Sequence, residues 1–295
     1  MTVKEAEEIA MQFYRKGNPT EEETNAFLTA MNFLIEEQQD PRAMLTLGGW
    51  YYNQHDFEKS LWYYQMAADA GSKEADLYLA YIYYYGRGTE KDLKKAFELF
   101  SRAAKNGSIE AEYHLADMYR KGEYVWADDD KYVELIEDIF PKLRNCNHPN
   151  DPVPEVFTRL AAIRAKEGKK EEAAALYLGA KDFLVQRIRF VPTFGNLSMM
   201  KFLTFDLYQV QDFDKSKMDL YDLYYVLEKP CAVIFKYDGE PYIVKASEED
   251  GKIVVAFNDK TYEDIDDFFA HAAIGDHHLT GIFDQLHDFT VAEIH

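Results

Sequence analysis

The sequence predicts a mainly α-helical protein, a superhelical stack of helix pairs followed by a small α+β domain. Three observations carry that prediction. A glycine-bearing pattern recurs at a fixed interval between residues 43 and 144, and helical apolar spacing continues to about residue 228. After Lys229-Pro230 the pattern changes to β-branched and aromatic residues broken by turn dipeptides.

The interval is 36 residues, since Gly86 recurs as Gly122. Ala75, Leu79, Ala80, Tyr83, Asp92 and Lys95 recur as Ala111, Leu115, Ala116, Tyr119, Asp128 and Lys131. In the other direction Gly107 matches Gly71, and Ala103-Ala104 matches Ala67-Ala68. A period in this range marks a solenoid in which each unit is one supersecondary element. Within a unit, Ala75, Leu79 and Tyr83 line one face of a first helix, and Ala96, Phe97, Phe100 and Ala103 line a second. The alanines allow close approach, while Tyr83 and Phe100 are expected to fill the gap. Asp92 stands where a side chain can cap the second helix.

Gly86-Arg87-Gly88 invites comparison with a phosphate-binding loop, but such a loop places its glycines between a strand and a helix. Here helical patterns flank both sides, so the stretch reads as a turn. The segments "AEYHLADMYRKGEYV" from Ala111 and "EKDLKKAFELFSRAAKNG" from Glu90 resemble the two halves of the Sel-one-like repeat, a relative of the tetratricopeptide repeat. The resemblance covers about residues 43–140, with units at 43–71, 75–107 and 111–144. The first unit lacks four residues between its helices, giving a tighter, tetratricopeptide-like turn. In the third, Tyr124 replaces the second glycine and Tyr132 the small alanine, so that pair is expected to pack more loosely or at another angle.

The remaining elements follow in order. "EAEEIAMQFYRKG" and a second helix opened by Pro19-Thr20 form a pair closed at Pro41. "NCNHPNDPVP" is a breaker-rich loop, and residues 155–188 read as a helical hairpin turning at Gly168. "RFVPTFGN" precedes apolar helical sequence from Leu197 to about Leu227. "CAVIFKYDGEPYIVKA" centres a hairpin on Asp238-Gly239, "EEDG" makes the next turn and "KIVVAFN" a third strand. Thr261–Asp264 resembles a capping box ahead of Ile265, Phe268, Phe269 and Ala272, and the tail adds a short helix and a last strand. The domain expectation is therefore a helical solenoid over 1–190, a connector over 191–228 and an acidic α+β module over 229–295.

Composition narrows the function. Formal charge is −20, from 33 basic and 53 acidic side chains, which disfavours nucleic acid and anionic lipid as partners. From Cys231 onward the count is 4 Lys against 14 Asp or Glu. Cys146 and Cys231 lack metal-ligand spacing and read as buried thiols of a reducing, cytoplasmic protein. His271, His277, His278 and His287, among Asp276, Asp284 and Asp288, are the one candidate metal constellation, without H-E-x-x-H spacing. Glu263-Asp264, Asp266-Asp267 and Asp128-Asp129-Asp130 read as first-turn acids favoured by the helix dipole. No catalytic residues or cofactor are expected.

The resemblance implies a solenoid whose first helices line a groove for a protein or peptide. Projecting that geometry, Tyr52, Asn53, Tyr81, Tyr84, Tyr85, His114, Asp117, Arg120 and Lys121 face the groove. Tyr81, Tyr84 and Tyr85 share a helical face, with Tyr83 opposite on the core stripe of Leu79. The leading expectation is a non-enzymatic interaction scaffold. The alternatives are an acidic inhibitor or immunity-type protein that neutralises a basic partner, and a metal-dependent hydrolase built on the C-terminal His/Asp set.

Overall fold

The computed structural model describes residues 1–16, 19–143, 152–190 and 193–293. The chain divides into two compact units, Met1–Ile139 and Phe140–His295.

The first unit is helical throughout. Helices α1 (Val3–Arg15) and α2 (Glu21–Gln38) each open on a capping box, Thr2 with Glu5 and Thr20 with Glu23. Then follow α3 (Pro41–Asn53), α4 (Phe57–Asp69), α5 (Ala75–Tyr85), α6 (Leu93–Lys105), α7 (Ile109–Lys121) and the start of α8 (Asp129–Lys142). Pro41 opens α3 at its first turn, where a missing N–H costs nothing, with Asp40 as the cap. The 36-residue interval is a capping interval. The carboxylates of Asp56, Asp92 and Asp128 accept from the backbone N–H groups of Lys59, Lys95 and Lys131 at 3.2, 2.9 and 2.8 Å.

Small residues set the pair spacing, as expected. A Cβ at Gly48 would lie 2.5 Å from the Tyr64 ring, so α3 and α4 approach across that glycine. Ala80, Ala96, Leu99, Phe100 and Ala103 are buried between α5 and α6. His55, with φ of 61°, makes the shorter turn between α3 and α4. In the third unit α7 and α8 do not form the close pair that α3–α4 and α5–α6 do. Tyr132 is half-buried where the tight pairs place the small, buried Ser60 and Ala96.

Two expectations for α5 change. Tyr83 is half-buried, with the Lys95 ammonium 3.9 Å from its ring centre, and Tyr84 is the buried tyrosine at 9% exposure. The reason is stacking between units. A helix pair read alone has one buried face, but α5 lies in a core cluster shared with Leu115 and Met118 of α7. Tyr84 thereby loses its solvent.

The second unit joins α9 (Val153–Lys166), α10 (Lys170–Phe190), α11 (Phe194–Val210) and α12 (Leu223–Val226) to an antiparallel sheet. Its strands are β1 (Cys231–Tyr237), β2 (Glu240–Glu249), β3 (Lys252–Phe257), β4 (Lys260–Tyr262) and β7 (His287–Glu293), in the order β4-β3-β2-β1-β7. Asp238-Gly239 and Asp250-Gly251 make the two expected turns, all four residues having positive φ. Asn258-Asp259 makes a third of the same kind, so Thr261 lies in β4 and the expected capping box moves. Asp264 caps α13 (Ile265–His271) instead, accepting from the Asp267 N–H at 2.8 Å. The two-stranded pair β5 (Ala273–Ile274) and β6 (His277–His278) follows, then two single 3-10 turns before β7. Cys231 is a buried free thiol, and Cys146 lies outside the described residues.

The division near residue 140 differs from the expected boundaries at 190 and 228. Tyr224, in the stretch read as a connector, stacks on Phe269 of α13 at 4.0 Å between ring centres, and Tyr221 stacks on the same ring. Lys181 of α10 is buried and pairs with Asp222 at 2.7 Å and Asp219 at 2.9 Å, while the Tyr208 hydroxyl donates to Asp222. These contacts tie the helices before residue 228 to the elements after it. No periodicity announces them.

Candidate functional site

The aromatic end of α5 is where the site forms. Three tyrosines at helical spacing place Tyr81 and Tyr85 as parallel rings, 6.3 Å apart and inclined by 6°, with Tyr84 edge-on to Tyr85 at 4.9 Å. Phe100 of α6 supports Tyr81 edge-on at 5.6 Å and stacks on His114 of α7 at 5.0 Å. Three helices thus contribute to one aromatic cluster.

Hydrogen bonds fix its polar edge. The Tyr81 hydroxyl donates to Glu110 and lies 2.6 Å from His114 Nε2. With the hydroxyl proton committed to Glu110, the imidazole N–H is the donor in the second bond. Burial beside Phe100 holds the His114 imidazole neutral, with its pKa pushed down to about 4. The Tyr84 hydroxyl donates to Glu123 at 2.6 Å and accepts from Lys121 Nζ at 3.4 Å. Burial first, and the neighbouring carboxylates second, raise the Tyr81 and Tyr84 phenols far above the ordinary tyrosine range. Neither ionises at physiological pH.

Of the nine groove residues predicted from sequence, Tyr81, Tyr84, Tyr85, His114 and Lys121 are brought together by direct contacts. Arg120 pairs with Asp117 at 3.3 Å, and Asp117 lies near enough to bear on His114 and Tyr85. Tyr85 is 51% exposed, Asn53, Arg120 and Lys121 are also exposed, and Tyr52, Tyr81, His114 and Asp117 are half-buried. Tyr84 is buried and supports the others instead of offering its ring.

Sequence reasoning missed Arg87. Its guanidinium lies 4.8 Å from the Tyr52 ring centre and 4.8 Å from that of Tyr85, with Phe57 at 5.5 Å. The backbone puts it there. Gly86 takes φ of 68° to end α5, and the Arg87 N–H bonds back to Ile82 at 3.0 Å. Gly88, with φ of 70°, presses on the start of α4, and a Cβ there would meet the Phe57 carbonyl oxygen at 2.5 Å. The turn of one repeat is thereby docked on the preceding repeat. The available signal was an arginine between two turn glycines, two positions after the last tyrosine of α5.

The C-terminal histidines do not converge. His271 pairs with Asp267 at 2.7 Å, His278 with Thr280 and the Ala270 carbonyl, and His287 with Asp288 at 3.4 Å. Among the described residues no group of three His, Cys, Asp or Glu is placed to hold a metal ion.

The helix pairs, the turns docked on the preceding repeat and the 36-residue capping interval agree with sequence comparison, in which the Sel1 repeat model matches 41–72, 73–108 and 109–131. Residues 41–131 are three Sel1 repeats. The third match stops within the first turn of α8, where the close pairing lapses. Among solved structures, a Sel1 repeat protein from Oxalobacter formigenes is 22% identical, with a TM-score of 0.50 over 68% of this chain and 61% of its own. A protective antigen present in uropathogenic Escherichia coli strains, displaying an SLR fold, is 16% identical, with a TM-score of 0.52 over 71% of this chain and 49% of its own. Both likenesses concern the fold, and this chain matches less than two thirds of either protein's length. No curated protein sequence matches. No helix among the described residues is long and apolar enough to cross a membrane.

Proposed function

We propose that the Sel1 repeats act as a non-enzymatic scaffold and bind a protein or peptide segment across the tyrosine face of α3, α5 and α7. The observation that carries this reading is the rigid aromatic cluster with Tyr85 left half in water. Tyr81 and Tyr84 are pinned by hydrogen bonds, so Tyr85 offers its ring at little conformational cost. Asn53 and Tyr52 extend the contact toward the first repeat, while His114, Asp117, Arg120 and Lys121 extend it toward the third. Tyr84 keeps the platform in place.

Photo-crosslinking tests this. A benzophenone amino acid installed at Tyr85 and at Asn53, with Trp62 on α4 as the exposed control, should capture the same partner segment at the first two positions and not at the third. That segment, synthesised, should bind the Tyr85→Ala protein about thirtyfold more weakly at an unchanged melting temperature. Equal capture at all three positions, or unchanged affinity, would refute the proposal.

A further inference from the structure

Arg87 is the residue of this face with unused chemistry. Its guanidinium carbon lies over the Tyr52 and Tyr85 rings, 4.8 Å from each centre, with Phe57 at 5.5 Å, so rings of two repeats confine the charged group. These ring contacts give none of its five N–H donors an oxygen acceptor. No side-chain hydrogen bond or ion pair engages Arg87 among the described residues. The carboxylates of the tyrosine cluster have partners of their own, Glu123 accepting from Tyr84, Glu110 from Tyr81, and Asp117 from Arg120. Lys91, whose ammonium lies 5.5 Å from the Tyr84 ring centre, and Lys121 add positive charge near the same tyrosines.

We infer that Arg87 is an anion-recognition residue that takes a single carboxylate of the bound polypeptide in a bidentate hydrogen-bonded pair. This rests on the peptide-binding reading of the same face. A planar guanidinium edge matches a carboxylate, and its contacts with two rings reduce the ordering cost that an arginine ordinarily bears on binding. The chain's net charge of −20 favours a ligand with few negative charges of its own. A polyanion or a phosphate dianion meets multiplied long-range repulsion, whereas one carboxylate on a neutral or basic segment does not. The carboxylate is either an Asp or Glu side chain or a chain terminus.

Nuclear magnetic resonance on the full chain decides between these outcomes. The Arg87 Nε–H signal is assigned by its loss in Arg87→Lys. It is then followed during titration with three small probes: N-acetyl-glutamate amide, N-acetyl-glutamine with a free terminal carboxylate, and the neutral N-acetyl-glutamine amide. The expected result is a saturable shift with at least one carboxylate probe, absent with the neutral amide and with sodium chloride at matched ionic strength. Which of the two acids saturates first identifies the source as side chain or terminus. Tyr85→Leu, which opens the stack, should weaken that probe at least threefold while melting as the parent does. No shift beyond the salt control, or an affinity indifferent to Tyr85→Leu, would overturn the inference. The crosslinked segment separates this inference from the reading beneath it. Loss of affinity in Tyr85→Ala with none in Arg87→Gln removes the carboxylate contact and leaves the groove. Saturation of Arg87 by a carboxylate probe with no segment captured at Tyr85 or Asn53 removes the groove and leaves the anion site.

Discussion

The turn after α5 and the turn after α7 follow one backbone plan with different chemistry. Gly86 and Gly122 both take φ of 68°, and Asp92 and Asp128 send their N–H groups back to the Tyr83 and Tyr119 carbonyls at 2.9 and 3.1 Å. At the next position the first turn carries Arg87, stacked on rings of its own and the preceding repeat. The second carries Glu123, bonded to Tyr84 of the preceding repeat. One position further, Gly88 lies against the α4 backbone, whereas Tyr124 takes φ of 69° with its ring 5.5 Å from that of Phe97. Backbone docking demands glycine, but side-chain docking tolerates a strained tyrosine. A repeat's turn is thus also the contact between repeats, and its variable residues decide what that contact exposes.

Substitutions in the two turns and in the contact between repeats separate backbone docking from side-chain docking. The largest effect belongs to Gly88→Ala, which combines a left-handed φ with a Cβ 2.5 Å from the Phe57 oxygen and should cost about 3 kcal/mol. Urea unfolding would measure it. A loss below about 1 kcal/mol would mean that the first turn is not docked on α4.

The second effect is acid sensitivity where the third repeat meets the second. His114 has a folded pKa of about 4, below its unfolded value, so its contribution is fully present above about pH 6.5 and is lost as pH falls toward 4. The ideal linkage exceeds 3 kcal/mol, and partial solvent contact reduces it to about 2 kcal/mol. His114→Phe should flatten that limb of a stability–pH curve, and an unchanged limb would assign acid lability elsewhere.

Smaller losses are expected at the helix ends. A Cβ at Gly86 would sit 3.0 Å from the Lys91 nitrogen, and one at Gly122 would sit 3.3 Å from that of Ala127. Gly86→Ala should therefore cost about 1.5 kcal/mol and Gly122→Ala about 1 kcal/mol. The reverse order in thermal melting would contradict the view that the first turn is the tighter. The least effect is Tyr124→Gly. Relief of the left-handed strain and loss of the Phe97 contact oppose each other, leaving stability within about 0.5 kcal/mol of the parent.

Much of the first unit was legible because its signals are local. Asp92 caps from within three residues, and Ala80, Ala96 and Ala103 announce close helices by size alone; Asp128, read as a first-turn acid, is the cap just ahead of α8. The same holds for the hairpins at Asp238-Gly239 and Asp250-Gly251. Asn258-Asp259 was missed because an Asn-Asp pair is a weaker turn signal than one containing glycine. Tyr83 and Tyr84 were exchanged because their burial depends on a neighbouring repeat that helical periodicity does not encode. Of the site, the tyrosine cluster was readable as a helical stripe, but Arg87 was read as a turn residue, and its stack requires Tyr52 from 35 residues earlier.

The amino-acid order alone fixed the helix pairs, the 36-residue interval, the cap at Asp92, the change to strands after Pro230 and the excess of negative charge. Each of these depends on residues within a few positions of one another, or on composition, which no fold alters. Only the tertiary structure decided that Tyr84 is covered and Tyr85 is not, and that Tyr81, Glu110 and His114 share one bonded network. It also decided that Arg87 lies over rings of two repeats and that Tyr221 and Tyr224 pack on Phe269 of α13. These are contacts between segments far apart along the chain, made when stacked elements bury their remaining faces. Side-chain exposure is a property of that stacking.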